Sequence, residues 1–574
     1  MKYLQMWNFK VLTSAFLVLS LLLAVACGAA ATATPAAKPA TPAPAAAAVP
    51  QAPAVPNPIN VQPVVHPGKV TVMVGGWGGR FAPAHGTNCH VYDVNMHGYL
   101  IRSRDHDRSF IPSVATRWEI SADGKTWTIT IRDGVAFHDG RPLTIEDVYF
   151  TWLQSWGPNS LNFSTSSSAL NMARNTEKIE LVSANQVSIT HKKPDVGFAG
   201  FISDTSGACQ GMVLPRHLWG LDPLSKLHDA ALMEAYDRNP VAAGPMKMVK
   251  HTTEELMAFE RYDQYFDIER MLPMRSYDLR KVPEEATRAA ALRAGEADIA
   301  PVSQATRNQV EAGGGRIIFG QEATYLFIRH MGAWTKAPHS IKEVRQALAY
   351  AIDLKTLQNQ LWGTDIHSPR GWLYVSPSAI GYSSELDPFP YDPEKARQLL
   401  AKAGYPSGQG YPKIKLNTWP SRAVPNMPEA AQLVADYWKR ELGLNVEVYV
   451  GDETALKRIT NAGVEAYGEL LLRENETSVE STSSFRSAYF TADNPGRRHN
   501  DPEIFDQAAK AISVFEPAER IKVWNQLHRR LRDDAYEISL GYVNAPWGVG
   551  PRILDWKPQP MAFYPSALHT IVLK

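Results

Sequence analysis

Histidine, acid and amide side chains crowd one stretch: His85, Asn88, His90, Tyr92, Asp93, His97, His106 and Asp107. Such a group could hold a metal ion, but its spacings match no standard ligand motif, so solvated or helix-surface histidines are the better reading. Gly75-Gly76-Trp77-Gly78-Gly79 could cradle a phosphate, yet no Lys-Ser/Thr closes it and no helix signal follows directly. It reads instead as a tight chain reversal. The sequence contains no H-E-x-x-H, G-x-S-x-G or complete phosphate loop. Asp and Glu are spread along helical stretches beside basic partners, the usual pattern of a solvated face. No catalytic constellation, metal or cofactor is therefore expected. The 15 Trp and 22 Tyr residues fill cores or line a ligand cleft, since both side chains join apolar area to a polar handle. Cys89 and Cys209 are the only cysteines beyond residue 27, and they are either bridged or two separate buried thiols.

The elements that must position these groups belong to a long chain. Its 574 residues exceed one ordinary core, so at least two lobes are expected. A net charge of +1 gives no support for a nucleic-acid or membrane-surface partner. Trp118, Ile120, Trp127, Ile129 and Ile131 alternate on either side of Asp123-Gly124, which predicts a β-hairpin. A second turn, His138-Asp139-Gly140, precedes a helix whose N-cap is Thr144 and whose first turn carries Glu146 and Asp147. Further on, residues 284–300 read as a helix closed by Gly295 and entering a buried strand. Residues 341–361 have one apolar helical face through Val344, Leu348 and Ile352. Asp392-Pro393 opens another helix and Gly404 ends it. A strand at 413–418, a helix at 428–442 and a strand at 445–450 form a βαβ order.

Residues 115–153 also carry a resemblance. Trp118, Ser121, Asp123, Gly124, Arg132, Gly134, Val135, Phe137, His138, Asp139, Gly140, Pro142, Leu143, Thr144, Asp147 and Val148 resemble the signature segment of the solute-binding proteins of ABC importers, peptide/nickel type (family 5). Ile131 and Ile145 depart mildly from that pattern. Asn239 to Met246, Val344 to Asp353 and Tyr391 to Gly404 resemble further segments of the family, so the likeness runs from about Val70 to the C-terminus. It implies an α/β, two-lobed periplasmic-binding-protein fold (type II, cluster C-like) with an extra subdomain inserted in the first lobe. The implied division is 68–322 for the first lobe, with the insert at about 101–230, then 323–540 for the second lobe and 541–574 for a return to the first.

The N-terminus reads as a targeting segment, with Lys2 and Lys10 flanking the start and an apolar run from Val11 to Val25. Leu23-Ala24-Val25-Ala26-Cys27-Gly28 resembles a lipobox, making residues 1–26 the signal and Cys27 the lipid attachment. The alternative is an ordinary signal cleaved near Ala30. Residues 27–67 are rich in Ala, Pro and Thr and cannot bury a core, which suits a disordered tether.

The resemblance implies a ligand held between the lobes, delivery to ABC permease subunits and a monomer on the outer face of the cytoplasmic membrane. Peptide-binding relatives use an Asp in a W-x-x-D-Y-P segment to pair with the peptide amino terminus. The aligned stretch, Ala466 to Thr477, lacks that motif. Glu474 or Glu476 would take the carboxylate's role, or Arg473 would face a ligand carboxylate. Trp77, Tyr467, Arg473, Glu474 and Trp547 are the candidate ligand contacts that the family's architecture implies. The function expected is capture of a peptide or peptide-like solute for import. The rivals are a sensory binding protein, a carbohydrate or metal-chelate binder of the same fold, and a carboxylate-based hydrolase.

Overall fold

The computed structural model describes residues 66–77, 81, 93–105, 109–157, 172–204, 211–219, 230–332, 336–373, 375–379, 381–421, 423–453, 455–456, 469–476, 499–562 and 564–574. Cys27, Cys89, Cys209, Tyr467 and most of the histidine-rich stretch lie outside them. An 11-stranded mixed sheet is the backbone of the fold. From one edge its order is Val446–Val450, Ile414–Thr418, Leu470–Glu476, Arg316–His330, Glu537–Val549, Ile299–Pro301, His66–Val74, Met274–Lys281, Leu256–Arg261 and Met246–Thr252, with His367–Ser368 pairing beside this path.

Two antiparallel strands belong to both halves of this sheet. Arg316 to Gly320 pair with Val549 to Ala545, and Val549 to Trp547 pair on their other side with Ile299–Pro301. Thr324 to Arg329 pair with Val543 to Glu537, and Thr324 to His330 pair on their other side with Leu470–Glu476. The register slips between Gly320 and Thr324, where Glu322 takes φ 53°. A slip of this kind bends a strand and increases its twist. On one side of it Val72, Tyr277, Ile299 and Trp547 share an apolar core; on the other Tyr325, Leu348, Trp438 and Leu527 share another.

The slip also fixes where the parallel strands end. Glu476 pairs with Thr324 and Leu470 with His330, so the carboxyl end of Leu470–Glu476 lies at the slip. Ile414–Thr418 and Val446–Val450 run parallel to it. In the other half Pro301 pairs with Trp547 and Ile299 with Val549, so this strand also ends toward the slip. His66–Val74 and Met274–Lys281 run parallel with it. Open α/β sheets bind ligands outside the carboxyl ends of their strands.

A separate four-stranded antiparallel sheet, ordered Ala115–Ile120, Thr126–Ile131, Gln186–His191, Thr176–Ser183, has its own core around Trp127, Ile129, Trp152 and Phe198. The hairpin expected at Asp123-Gly124 forms, with Gly124 at φ 71°. The helix Ile145–Trp156 starts at Thr144, and Thr144 and Asp147 make a reciprocal capping box. The signature segment is architectural. His138 bonds the Gly244 carbonyl through Nε2 at 3.0 Å, Asp139 meets His217 at 2.7 Å, and Asp147 accepts from Arg216 N at 2.9 Å.

Two expectations are corrected. The apolar face over 341–361 is two helices, Lys342–Tyr350 and Leu354–Leu361, because the Asp353 carboxylate accepts from Lys355 N and Thr356 N and starts a new helix. His97 is neither solvated nor on a helix surface: it is fully buried, with Nε2 3.2 Å from the Tyr236 hydroxyl. Among the described residues no group of three His, Cys, Asp or Glu side chains could hold a metal ion, and no helix is long and apolar enough to cross a membrane.

A candidate ligand cleft at the strand ends

The second-lobe half of the candidate site is built on the last residues of Leu470–Glu476. Pairing places Arg473 beside Phe327 and Asn475 beside Tyr325, and the two-residue period of a strand puts all four on one sheet face. Arg473 is only 7% exposed. Its Nε donates to the Glu474 carbonyl at 3.3 Å and its Nη2 to Asn475 Oδ1 at 3.0 Å. Its guanidinium carbon sits 5.8 Å from the Phe327 ring centre and 5.9 Å from that of Trp419, the residue just beyond Ile414–Thr418. Asn475 Nδ2 donates to the Tyr325 hydroxyl at 3.0 Å, which orients the amide oxygen toward Arg473. Glu474 stands opposite Leu326 on the other face, and its Oε2 is buried without a partner. Glu469, at the far end of the strand, is already engaged by Lys415 and Asn417.

The first-lobe half is apolar. Trp77 follows the carboxyl end of His66–Val74, and Trp547 lies between Pro301 and Ile318 in the ladder. They are 8% and 2% exposed and belong to one core cluster. Trp547 meets Trp556 edge-on with ring centres 5.9 Å apart. Neither indole N–H of Trp77 or Trp547 has a hydrogen-bond partner, although buried Trp usually finds one. A Cβ added at Gly320 would come 3.5 Å from Trp547 Nε1, so this indole reaches the register slip. At the slip itself Glu322 N donates to Asn544 Oδ1 at 2.8 Å, and Ser378 N donates to Glu322 Oε2 at 3.0 Å.

Of the five expected contacts, Arg473 and Glu474 are consecutive on one strand with opposite facings, Trp77 and Trp547 share one first-lobe core, and Tyr467 lies outside the described residues. Sequence reasoning missed Trp419, Asn475, Tyr325 and the Glu322–Asn544 pair. Trp419 carried a usable signal, standing directly after a predicted strand. Asn475 stands two residues beyond Arg473 and so on the same face.

Residues 109–495 match the model of the bacterial extracellular solute-binding proteins, family 5. The chain belongs to this family. Family 5 solute-binding proteins of ABC importers are exported, and their role is binding for transport. Heme-binding protein A of Haemophilus influenzae is 24% identical over 84% of this chain and 88% of its own length. The glutathione-binding protein GsiB of Pectobacterium atrosepticum is 26% identical over 76% of this chain and 81% of its own. The fold matches that of the periplasmic binding protein DppA from Helicobacter pylori, solved in complex with the peptide STSA, with a TM-score of 0.71 and 18% identity over 88% of this chain and 98% of that one. The expectation of a two-lobed α/β fold of this family is met.

Proposed function

We propose that this family 5 solute-binding protein captures a peptide or peptide-like solute between its two lobes and presents it to permease subunits. The observation that carries this reading is the convergence of parallel-strand carboxyl ends from both halves on one register slip. Arg473 supplies charge from the second lobe, with Glu474 on the opposite face of the same strand and Tyr467 upstream on the same segment. Trp77 and Trp547 form the apolar wall of the first. Few placed polar groups against an apolar wall suit a small-ligand cleft. Closing the lobes buries the ligand and stabilises the closed form by differential affinity. The lobes divide at about residues 322 and 540, and the protein acts as a monomer. The names of the relatives reach from peptide to glutathione and heme, so the screen must span all three. A thermal-shift screen of the protein with peptides, glutathione, heme and metal chelates should find a member that raises the melting temperature as binding to the folded state requires, and that is recovered unchanged. A ligand consumed during incubation, or no shift across the set, would count against capture.

The same reading places the protein on the outer face of the membrane, with Cys27 lipidated and residues 28–67 as the tether. Cys27→Ser should move the protein from the membrane to the soluble fraction. A wild-type protein without lipid, or a variant that stays membrane-bound, would refute the anchor.

A further inference from the structure

Among the described buried arginines, four are spent on the fold, and Arg102 lies 5.9 Å from the Tyr265 ring with Asp204 and Asp267 as nearby counter-charges. Arg261 and Arg270 meet carboxylates, Asp263 and Asp105, at 2.9 and 2.7 Å. Arg288 and Arg345 have no such bond, but each spends its guanidinium on three backbone carbonyls, two from consecutive residues and one from another segment. Both arrangements hold the fold together. Arg473 does neither. Its two hydrogen bonds go to the next two residues of its own strand, and both acceptors are neutral. Among the described residues no carboxylate reaches it and its Nη1 has no bond, and its flanks are the rings of Phe327 and Trp419.

A cation removed from water without a counter-charge is costly. Arg473 therefore raises the question of what neutralises it. The neighbouring Glu474 cannot, because alternate residues of a strand face opposite sides. The two local bonds turn the fork along the strand toward its carboxyl end, where the cleft lies. The Tyr325–Asn475–Arg473 series fixes its plane. A pre-oriented guanidinium with an unbonded Nη1, set between the Phe327 and Trp419 rings, is the donor set that a carboxylate accepts bidentately.

We infer that Arg473 is an anion subsite and that the ligand enters the second lobe with a carboxylate, not an ammonium group, against this strand. This rests on the capture reading above and deepens it by naming the ligand's chemical class: a carboxylic acid whose adjoining atoms pack on Trp419 and Phe327.

The test uses the full chain and three probes: tri- and tetrapeptides as free acids, the same peptides as C-terminal amides, and sodium benzoate set against benzamide. Wild-type protein should bind the acids about tenfold or more tightly than the amides, as a charged hydrogen-bonded pair implies. Benzoate, but not benzamide, should raise its melting temperature. Arg473→Gln should remove both preferences, while Arg473→Lys should keep part of them. The melting temperature of the empty Arg473→Gln protein should hold or rise, because an uncompensated buried charge has been removed. Equal binding of acids and amides by the wild type, an acid preference that survives Arg473→Gln, or a fall of several degrees in the empty variant would each overturn the inference. If no peptide of either kind binds, the peptide reading fails, and the benzoate comparison still decides the role of Arg473.

Discussion

His138, His367 and His528 are buried, and burial pushes their imidazoles down to about 4, about 4 and about 3. The carbonyls of Gly244 and Leu540 bond His138 and His367 and pull the other way, but less strongly. In the unfolded chain a histidine titrates near 6.5. Above that pH both states are neutral and these residues add no pH dependence. Below it the unfolded chain takes up protons that the folded protein refuses, so stability falls as the pH drops from about 6.5 toward 4. Thermal melts should be level between pH 7 and 8 and decline steadily below 6.5. His528→Leu should show a shallower decline, and an identical slope would mean that His528 does not contribute. Trp547 is a different residue-scale case. At 2% exposure, and packed on Trp556 within the first-lobe core, it holds the empty protein together whatever else it touches. Trp547→Ala should cost about 3–5 kcal/mol of unliganded stability. An unchanged melting temperature in the absence of ligand would show that the ring serves only the cleft wall and not the core.

At the scale of elements, much of the fold could be read wherever local chemistry and tertiary packing agree. Thr144, Asp392 and Asp501 cap helices in the structure, and Gly295 leaves its helix at φ 75° as a helix-closing glycine should. The 341–361 segment misled because its apolar face is continuous while its backbone is not. Periodicity registers side chains, whereas the break comes from Asp353 competing for backbone N–H groups. The long strands misled in another way. The return to the first lobe is expected from residue 541, but one strand runs unbroken from Glu537 to Val549 because its second half pairs with Arg316 to Gly320 and with Ile299–Pro301. No local pattern announces a partner that lies more than 200 residues away in sequence. The site shows the same division. Arg473 and Glu474 were identifiable as charges in an aligned segment. What gives Arg473 its character, two neutral acceptors and two ring faces, depends on Phe327 and Trp419 coming to the same place.

At the scale of the molecule, the inserted subdomain also touches the second lobe. Phe515 lies between the helices Pro502–Ala511 and Pro517–Asp533, whose Ile504, Ala508, Val523 and Leu527 belong to the second-lobe core. Its ring packs against the insert's core, 6.5 Å from that of Trp127, and a Cβ placed on Gly124 would collide with it. Beside it Val196 N donates to the Ile512 carbonyl at 2.9 Å. The hairpin turn of the signature segment and the 512–515 loop thus form a clasp well away from the register slip along the chain. If the lobes close as proposed, this contact is made or lost as they move and biases the open–closed equilibrium without touching ligand. If the clasp belongs to the ligand-competent form, weakening it lowers the competent fraction and reduces apparent affinity in proportion. Phe515→Ala removes a partly buried ring and should weaken the affinity for a ligand found in the screen by about tenfold, mainly by leaving fewer molecules competent. The melting temperature of the empty protein should change little, because each lobe keeps its own core. Titration calorimetry alongside thermal melts separates the outcomes. Unchanged affinity would make the clasp a passive contact, and tighter binding would assign it to the open form instead.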